Sequence, residues 1–223
     1  MVLIQLRDIC KSYPDGKYGR VDVLRGVCTE IESGEFVAVK GPSGSGKTTL
    51  LSMLGTLLTP DSGSYHLNGV DMLTPGIDRS PVRNRLTGFV FQDHRLMPQY
   101  TVLENILLPT LAYASETGEG DVEYAHALMT ATGIARLSQQ YPSEISGGEA
   151  SRAAICRALI MKPLLLLADE PTAQLDRENA YQTTRLLSCL NDVYGTTVVM
   201  ATHSDRISAL AHRTLTLNNG ILS

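Results

Sequence analysis

Hydrophobic positions along the chain change period several times, and each change predicts a different element. Residues 2–7 alternate apolar with polar side chains and residues 23–31 are rich in sheet formers, so both are expected as strands. Between them Lys11-Ser12-Tyr13-Pro14-Asp15-Gly16 reads as a turn cluster, which puts Tyr13 on a loop. A short strand over 35–40 is followed by Leu50, Leu51, Leu54, Leu57 and Leu58 at helical spacing, with a stop near residues 59–63. Residues 65–72 read as strand-turn-strand around Asn68-Gly69. Residues 88–92 read as a buried strand ending in a polar side chain. From Leu96 to about Tyr141 helical periodicity takes over, with candidates at 102–114 and 123–132 and a polar loop at 115–121. Leu164-Leu165-Leu166-Leu167-Ala168 is a strand buried on both faces, and residues 197–203 supply another. The chain therefore alternates strands with helices and carries a helical insertion in its middle.

The junction between the strand at 35–40 and the leucine-patterned helix carries the first chemistry. Gly41-Pro42-Ser43-Gly44-Ser45-Gly46-Lys47-Thr48-Thr49 has a glycine, four residues, then Gly-Lys-Thr, the pattern of a phosphate-binding loop. Backbone N–H groups of such a loop wrap nucleotide phosphates, the lysine reaches the terminal phosphates and the hydroxyl ligates magnesium. The following helix aims its positive end at the same anion.

Two further constellations extend this reading. Asp169-Glu170-Pro171 places adjacent carboxylates at the C-terminal end of the buried strand, where they project differently and can do different work. In phosphate-loop nucleotidases the first, Asp169, belongs to the magnesium shell, and Glu170 is then the candidate to polarise water as a general base. Ser146-Gly147-Gly148-Glu149 precedes an alanine-rich amphipathic helix and forms a second anion-receptive helix N-terminus. One nucleotide then has two grips, or a second subunit supplies the other. Gln92 stands at a strand's C-terminal end, where open parallel sheets put ligand contacts; on spacing alone it reads as a loop-capping amide.

Composition narrows the classes. With 223 residues, 43% hydrophobic and 19% charged, the chain suits one sizeable domain. Its formal net charge of -4 argues against a large nucleic-acid footprint, so no nucleic-acid partner is expected. No apolar run is long enough to span a bilayer, and the start lacks the features of a secretory signal, so the cytoplasm is the expected compartment. Cys10, Cys28, Cys156 and Cys189 are scattered without metal or redox spacing and read as idle or buried thiols.

These residues carry a resemblance. The chain resembles, over essentially all its length, the nucleotide-binding subunit of ATP-binding cassette (ABC) transporters. Residues 41–49 match the Walker A motif, 165–170 Walker B, and 145–149 the signature motif; Gln92 matches the Q-loop, Ala173-Gln174-Leu175-Asp176 the D-loop, and His203 the H-loop. Tyr13 matches the aromatic that stacks on adenine. Within the superfamily the chain is most similar to the MacB, LolD and FtsE group.

The resemblance implies an α/β P-loop NTPase fold: a RecA-like core with an antiparallel β subdomain and an inserted α-helical subdomain. It sets one domain over 1–223, with core and β subdomain at 1–94 and 150–223 and the helical subdomain at 95–149. It implies an ATPase using ATP and Mg2+. Thr48, Gln92 and Asp169 would serve the metal, Lys47 the phosphates, Glu170 the water, and His203 the terminal phosphate. Two copies would sandwich two ATP molecules head to tail, each signature (Ser146, Gly147, Gly148, Glu149) meeting the nucleotide in the other's Walker A loop. The expected partner is an integral membrane permease of MacB or FtsX type, holding the chain on the cytoplasmic membrane face, with export as the direction. The alternative is a non-transport mechanotransmitter acting with an FtsX-like membrane protein. Two departures from the family bear on rate. Glu149 stands where glutamine is usual and puts a like charge beside a triphosphate; Ala173-Gln174 replaces the group's common Gly-Asn.

Overall fold

The computed structural model describes residues 1–16, 19–112 and 118–223. In chain order the elements are β1 (Val2–Asp15), β2 (Gly19–Glu32), β3 (Phe36–Lys40), α1 (Lys47–Leu54), β4 (Ser62–Leu67), β5 (Val70–Asp71), β6 (Thr87–Val90), α2 (Val102–Leu107), α3 (Glu119–Ala131), α4 (Gly147–Leu159), β7 (Leu165–Asp169), α5 (Arg177–Tyr194), β8 (Thr197–Thr202), α6 (Asp205–Ser208), β9 (Arg213–Asn218) and β10 (Ile221–Leu222). They form two sheets. One is antiparallel with order β2-β1-β4-β5; the other runs β10-β9-β3-β8-β7-β6. In the second, β9, β3, β8, β7 and β6 pair in parallel and β10 closes the edge antiparallel.

The central parallel strands β3, β7 and β8 are largely apolar because successive side chains enter different cores. Leu165 and Leu167 of β7, Val199 and Ala201 of β8, and Val37 and Val39 of β3 join α1 and the antiparallel sheet in one cluster. Leu166, Ala168, Val198, Met200 and Phe36 enter the other, with Val102, Ile106, Leu128, Met129 and the apolar face of α4. The period-two alternation of a strand thus fills two cores at once, and the helical segment packs into the second. Among the described residues no helix is long and apolar enough to cross a membrane.

Several elements differ in extent from expectation. The cluster at 11–16 is not mainly a turn: β1 continues through Tyr13, which pairs with Val21, so Tyr13 sits on a strand. Long-range pairing with β2 overrides the local turn preference of Ser, Pro and Asp. The helix after the phosphate loop ends at Leu54, well before residue 59, because Gly55 caps it and Thr56 adopts a φ of 55°. The Leu54 carbonyl accepts the buried Tyr65 hydroxyl at 2.6 Å. The helix expected over 102–114 stops at Leu107 and tightens into a 3-10 turn at Leu108–Ala112; the remainder lies outside the described residues. Of the expected loop at 115–121, residues 115–117 lie outside them too, and Glu119 already opens α3.

Asp61, in the connection before β4, holds β1 in place. Its carboxylate accepts from Lys11 Nζ at 2.8 Å, from Ser12 N at 2.8 Å and Oγ at 2.7 Å, and from Arg20 Nη2 at 3.2 Å. Lys11 and the two Ser12 donors hold the Asp61 carboxyl well below the usual carboxylate range. A depressed folded-state value means the stabilisation is present above the ordinary carboxylate pKa and fades as pH falls toward the folded one. Asp61→Asn is therefore expected to lower Tm at neutral pH, with the gap to the unaltered chain narrowing under acid. Melting curves at a series of pH values check this, and a pH-independent gap would exclude the carboxylate as its source.

Candidate functional site

Every candidate catalytic residue lies in or just after a loop that leaves the C-terminal end of a parallel strand. β3 delivers the phosphate loop, β7 ends in Asp169 and Glu170, β8 leads into His203, and β6 leads to Gln92. This is the edge where α/β sheets gather ligands, because the loops there join strands to helix N-termini.

The loop geometry demands its glycines. A Cβ on Gly41 would lie 2.2 Å from the Leu217 carbonyl oxygen, and Gly46 holds a φ of 104°. Neither position accepts a side chain without shifting backbone. The loop thereby presents a cavity of about 280 Å3 lined by Val23, Ser43, Gly44, Gly46, Lys47, Thr48, Thr49, Gln92 and Glu170. The Ser45 hydroxyl is buried beneath it without a hydrogen-bond partner among the described residues.

Lys47 is the centre of charge. It is only 5% exposed, and its ammonium donates to the carbonyls of Gly41 at 2.9 Å and Pro42 at 3.0 Å while lying 3.3 Å from Glu170 Oε1. The other Glu170 oxygen is 3.0 Å from His203 Nδ1. Lysine, glutamate and histidine thus form one chain of contacts across β3, β7 and β8. Glu170 is held in it by a φ of 45° and by an N–H donated to the Ala201 carbonyl at 3.2 Å. A carboxylate between two nitrogen groups at the mouth of a phosphate cradle can accept a proton from water.

Asp169 has different surroundings. It is 6% exposed, and burial pushes its carboxyl up, opposed by a hydrogen bond from Thr48. Its Oδ1 has no partner among the described residues. Asp169, Thr48 and Gln92 share a second cavity of about 370 Å3, which Gln174 of the D-loop also lines.

Two sets of expected residues stand apart from the cradle. Tyr13 lies on the β1–β2 ribbon and is not among the lining residues, whereas Val23 of the same ribbon is. Ser146, Gly147, Gly148 and Glu149 form the N-terminus of α4, beside Leu175 and Asn179, and line none of these cavities. The like charge expected at Glu149 is not free. Its carboxylate turns back on Ser146 and pairs with Arg136, a residue the sequence alone did not single out. His94 is buried with both ring nitrogens unpartnered among the described residues.

Known proteins are similar to this chain in sequence and in fold. LolD 1 of Rhodopirellula baltica, a lipoprotein-releasing system ATP-binding protein, is 46% identical over 203 residues, 91% of this chain and 88% of that protein. MacB of Syntrophobacter fumaroxidans, a macrolide export ATP-binding/permease protein, is 42% identical across 100% of this chain, which spans 31% of that protein's length. A dimeric bacterial ABC transporter cassette superposes with a TM-score of 0.89 at 33% identity, covering 99% of this chain and 97% of that one. The same cassette as a post-hydrolysis dimer bound to ADP and Pi gives 0.88. The family model described as "ABC transporter" matches residues 24–173, and the chain belongs to that family as an ATP-binding cassette ATPase.

Proposed function

We propose that the chain is the ATP-hydrolysing motor of a LolD/MacB-type export system and works as a homodimer on the cytoplasmic face of a membrane permease. The observation that carries the chemistry is the contact chain Lys47–Glu170–His203 at the mouth of the glycine cradle. The export assignment rests on the relatives named for lipoprotein release and macrolide export.

In this mechanism the loop N–H groups of residues 43–49 and the Lys47 ammonium bind the phosphates. To do so Lys47 exchanges its bonds to the Gly41 and Pro42 carbonyls for phosphate oxygens. Glu170 directs the attacking water in line and accepts its proton, and His203 stabilises charge building on the terminal phosphate. The donor set of Thr48, Gln92 and Asp169 suits Mg2+, a hard cation that takes oxygen ligands. Asp169 Oδ1, without a partner among the described residues, is a carboxylate oxygen left for such a cation. Bound there, Mg2+ would supply charge neutralisation at the phosphates.

The signature residues line none of the cavities around this cradle, as a head-to-tail pair would require, with each signature completing the other copy's site. Tyr13, on the strapped ribbon, is assigned the adenine ring. Core and β subdomain are assigned to 1–94 and 150–223 and the helical subdomain to 95–149. Light scattering of the purified chain tests the pairing: a shift from monomer to dimer is expected with ATP when hydrolysis is blocked. A chain that stays monomeric while saturated with ATP would count against the sandwich.

A further inference from the structure

The signature helix carries a carboxylate where a partner subunit's nucleotide would bring a triphosphate, and the way this charge is held has a consequence for closure. Ser146 caps α4 through a capping box: its Oγ accepts from Glu149 N at 3.4 Å. The return contacts are shorter. Ser146 N and Oγ both donate to Glu149 Oε2, at 2.8 Å and 2.7 Å. The other carboxylate oxygen, Oε1, is taken by Arg136 Nη2.

The Glu149 side chain is 14% exposed and Arg136 is 72% exposed. The arginine reaches in from a 3-10 turn, Ala135–Leu137, that is anchored through buried Leu137 in the same core as α4. Arg152, the next cation along the helix, has a weaker electrostatic effect on Glu149 than Arg136 does. The Ser146 contacts hold the Glu149 carboxyl below its ordinary value, so it stays ionised at neutral pH.

We infer that Arg136 is a positioning residue of the signature: it neutralises Glu149 and keeps that carboxylate turned back on Ser146, away from the incoming nucleotide. The surface offered to the partner's phosphate is then N–H groups and a hydroxyl. Without Arg136 the approaching triphosphate meets an unneutralised carboxylate at a helix N-terminus, and like charges at this range repel strongly in a partly desolvated interface. When the pair closes, the Ser146 hydroxyl leaves Oε2 for a phosphate oxygen, and Arg136 holds the carboxylate in place as it does so. This rests on the sandwich reading proposed above.

A four-protein cycle tests it: the unaltered chain, R136A, E149Q and R136A/E149Q, assayed for steady-state ATP hydrolysis and for ATP-driven dimerisation. R136A is expected to lower kcat/KM by about tenfold and to weaken dimerisation in the unaltered background. In the E149Q background, where no charge needs neutralising, the same change is expected to cost less than about twofold. R136K, which keeps the charge, should recover most of the loss, and melting temperatures of the set should agree within a few degrees. An equal loss in both backgrounds, or none in the unaltered chain, would overturn the inference. An unaltered chain that binds ATP but never pairs would instead overturn the sandwich reading beneath it.

Discussion

Glu170→Gln is expected to bind ATP yet hydrolyse it at least about a hundredfold more slowly than the unaltered chain, since general-base contributions commonly run from about 10² to 10⁴. The amide keeps the shape of the carboxylate and can still hydrogen-bond to His203 Nδ1, now 3.0 Å from Oε2. What it loses is the capacity to take a proton from water. It also loses the charge that holds Lys47 at 3.3 Å, so the ammonium is freer to meet phosphate and affinity should hold or rise. Slow turnover with retained binding therefore separates a base from a binding group. Turnover near that of the unaltered chain would remove Glu170 from the base role.

Lys47→Ala is expected to weaken ATP binding by about ten- to a hundredfold, from a charge-assisted hydrogen bond worth about 1.5–3 kcal/mol. The side chain is buried and already has three partners, the carbonyls of Gly41 and Pro42 and the Glu170 carboxylate. Binding is thus an exchange of partners and not a capture by a free cation. The alanine variant also leaves Glu170 without its nearest cation, so an unpaired carboxylate faces the phosphates and adds repulsion. Titration calorimetry reads the loss directly. Unchanged affinity would contradict the assignment of the loop.

Much of the site was legible in the sequence because phosphate chemistry is local. Gly41 is demanded because a Cβ there would lie 2.2 Å from the Leu217 carbonyl oxygen, Gly46 is demanded by a φ of 104°, and Lys47 follows from the same short loop. The buried central strands were legible because burial on both faces leaves unbroken apolar runs such as Leu165-Leu166-Leu167-Ala168, whereas the largely exposed, polar strand β9 leaves no such run. What was not legible depends on contacts distant in the chain. Tyr13 reads as a turn residue until β2 pairs with it, and Leu57 and Leu58 continue the helical pattern past a helix that Gly55 has already ended. For Arg136 the sequence signal is the carboxylate of Glu149 in the signature, which calls for a cation near it. Which cation answers, Arg136 or Arg152, depends on how the 3-10 turn packs.

Whether this ATPase drives a membrane partner can be read from a single purification. The tagged chain is expressed in its native cells, membranes are solubilised in mild detergent with ATP and Mg2+ present, and copurifying proteins are identified with their stoichiometry. An integral membrane permease is expected in fixed ratio with the chain and absent when the same purification is run on cells whose chain carries no tag. A soluble homodimer that hydrolyses ATP and retains no membrane protein across several detergents would contradict it.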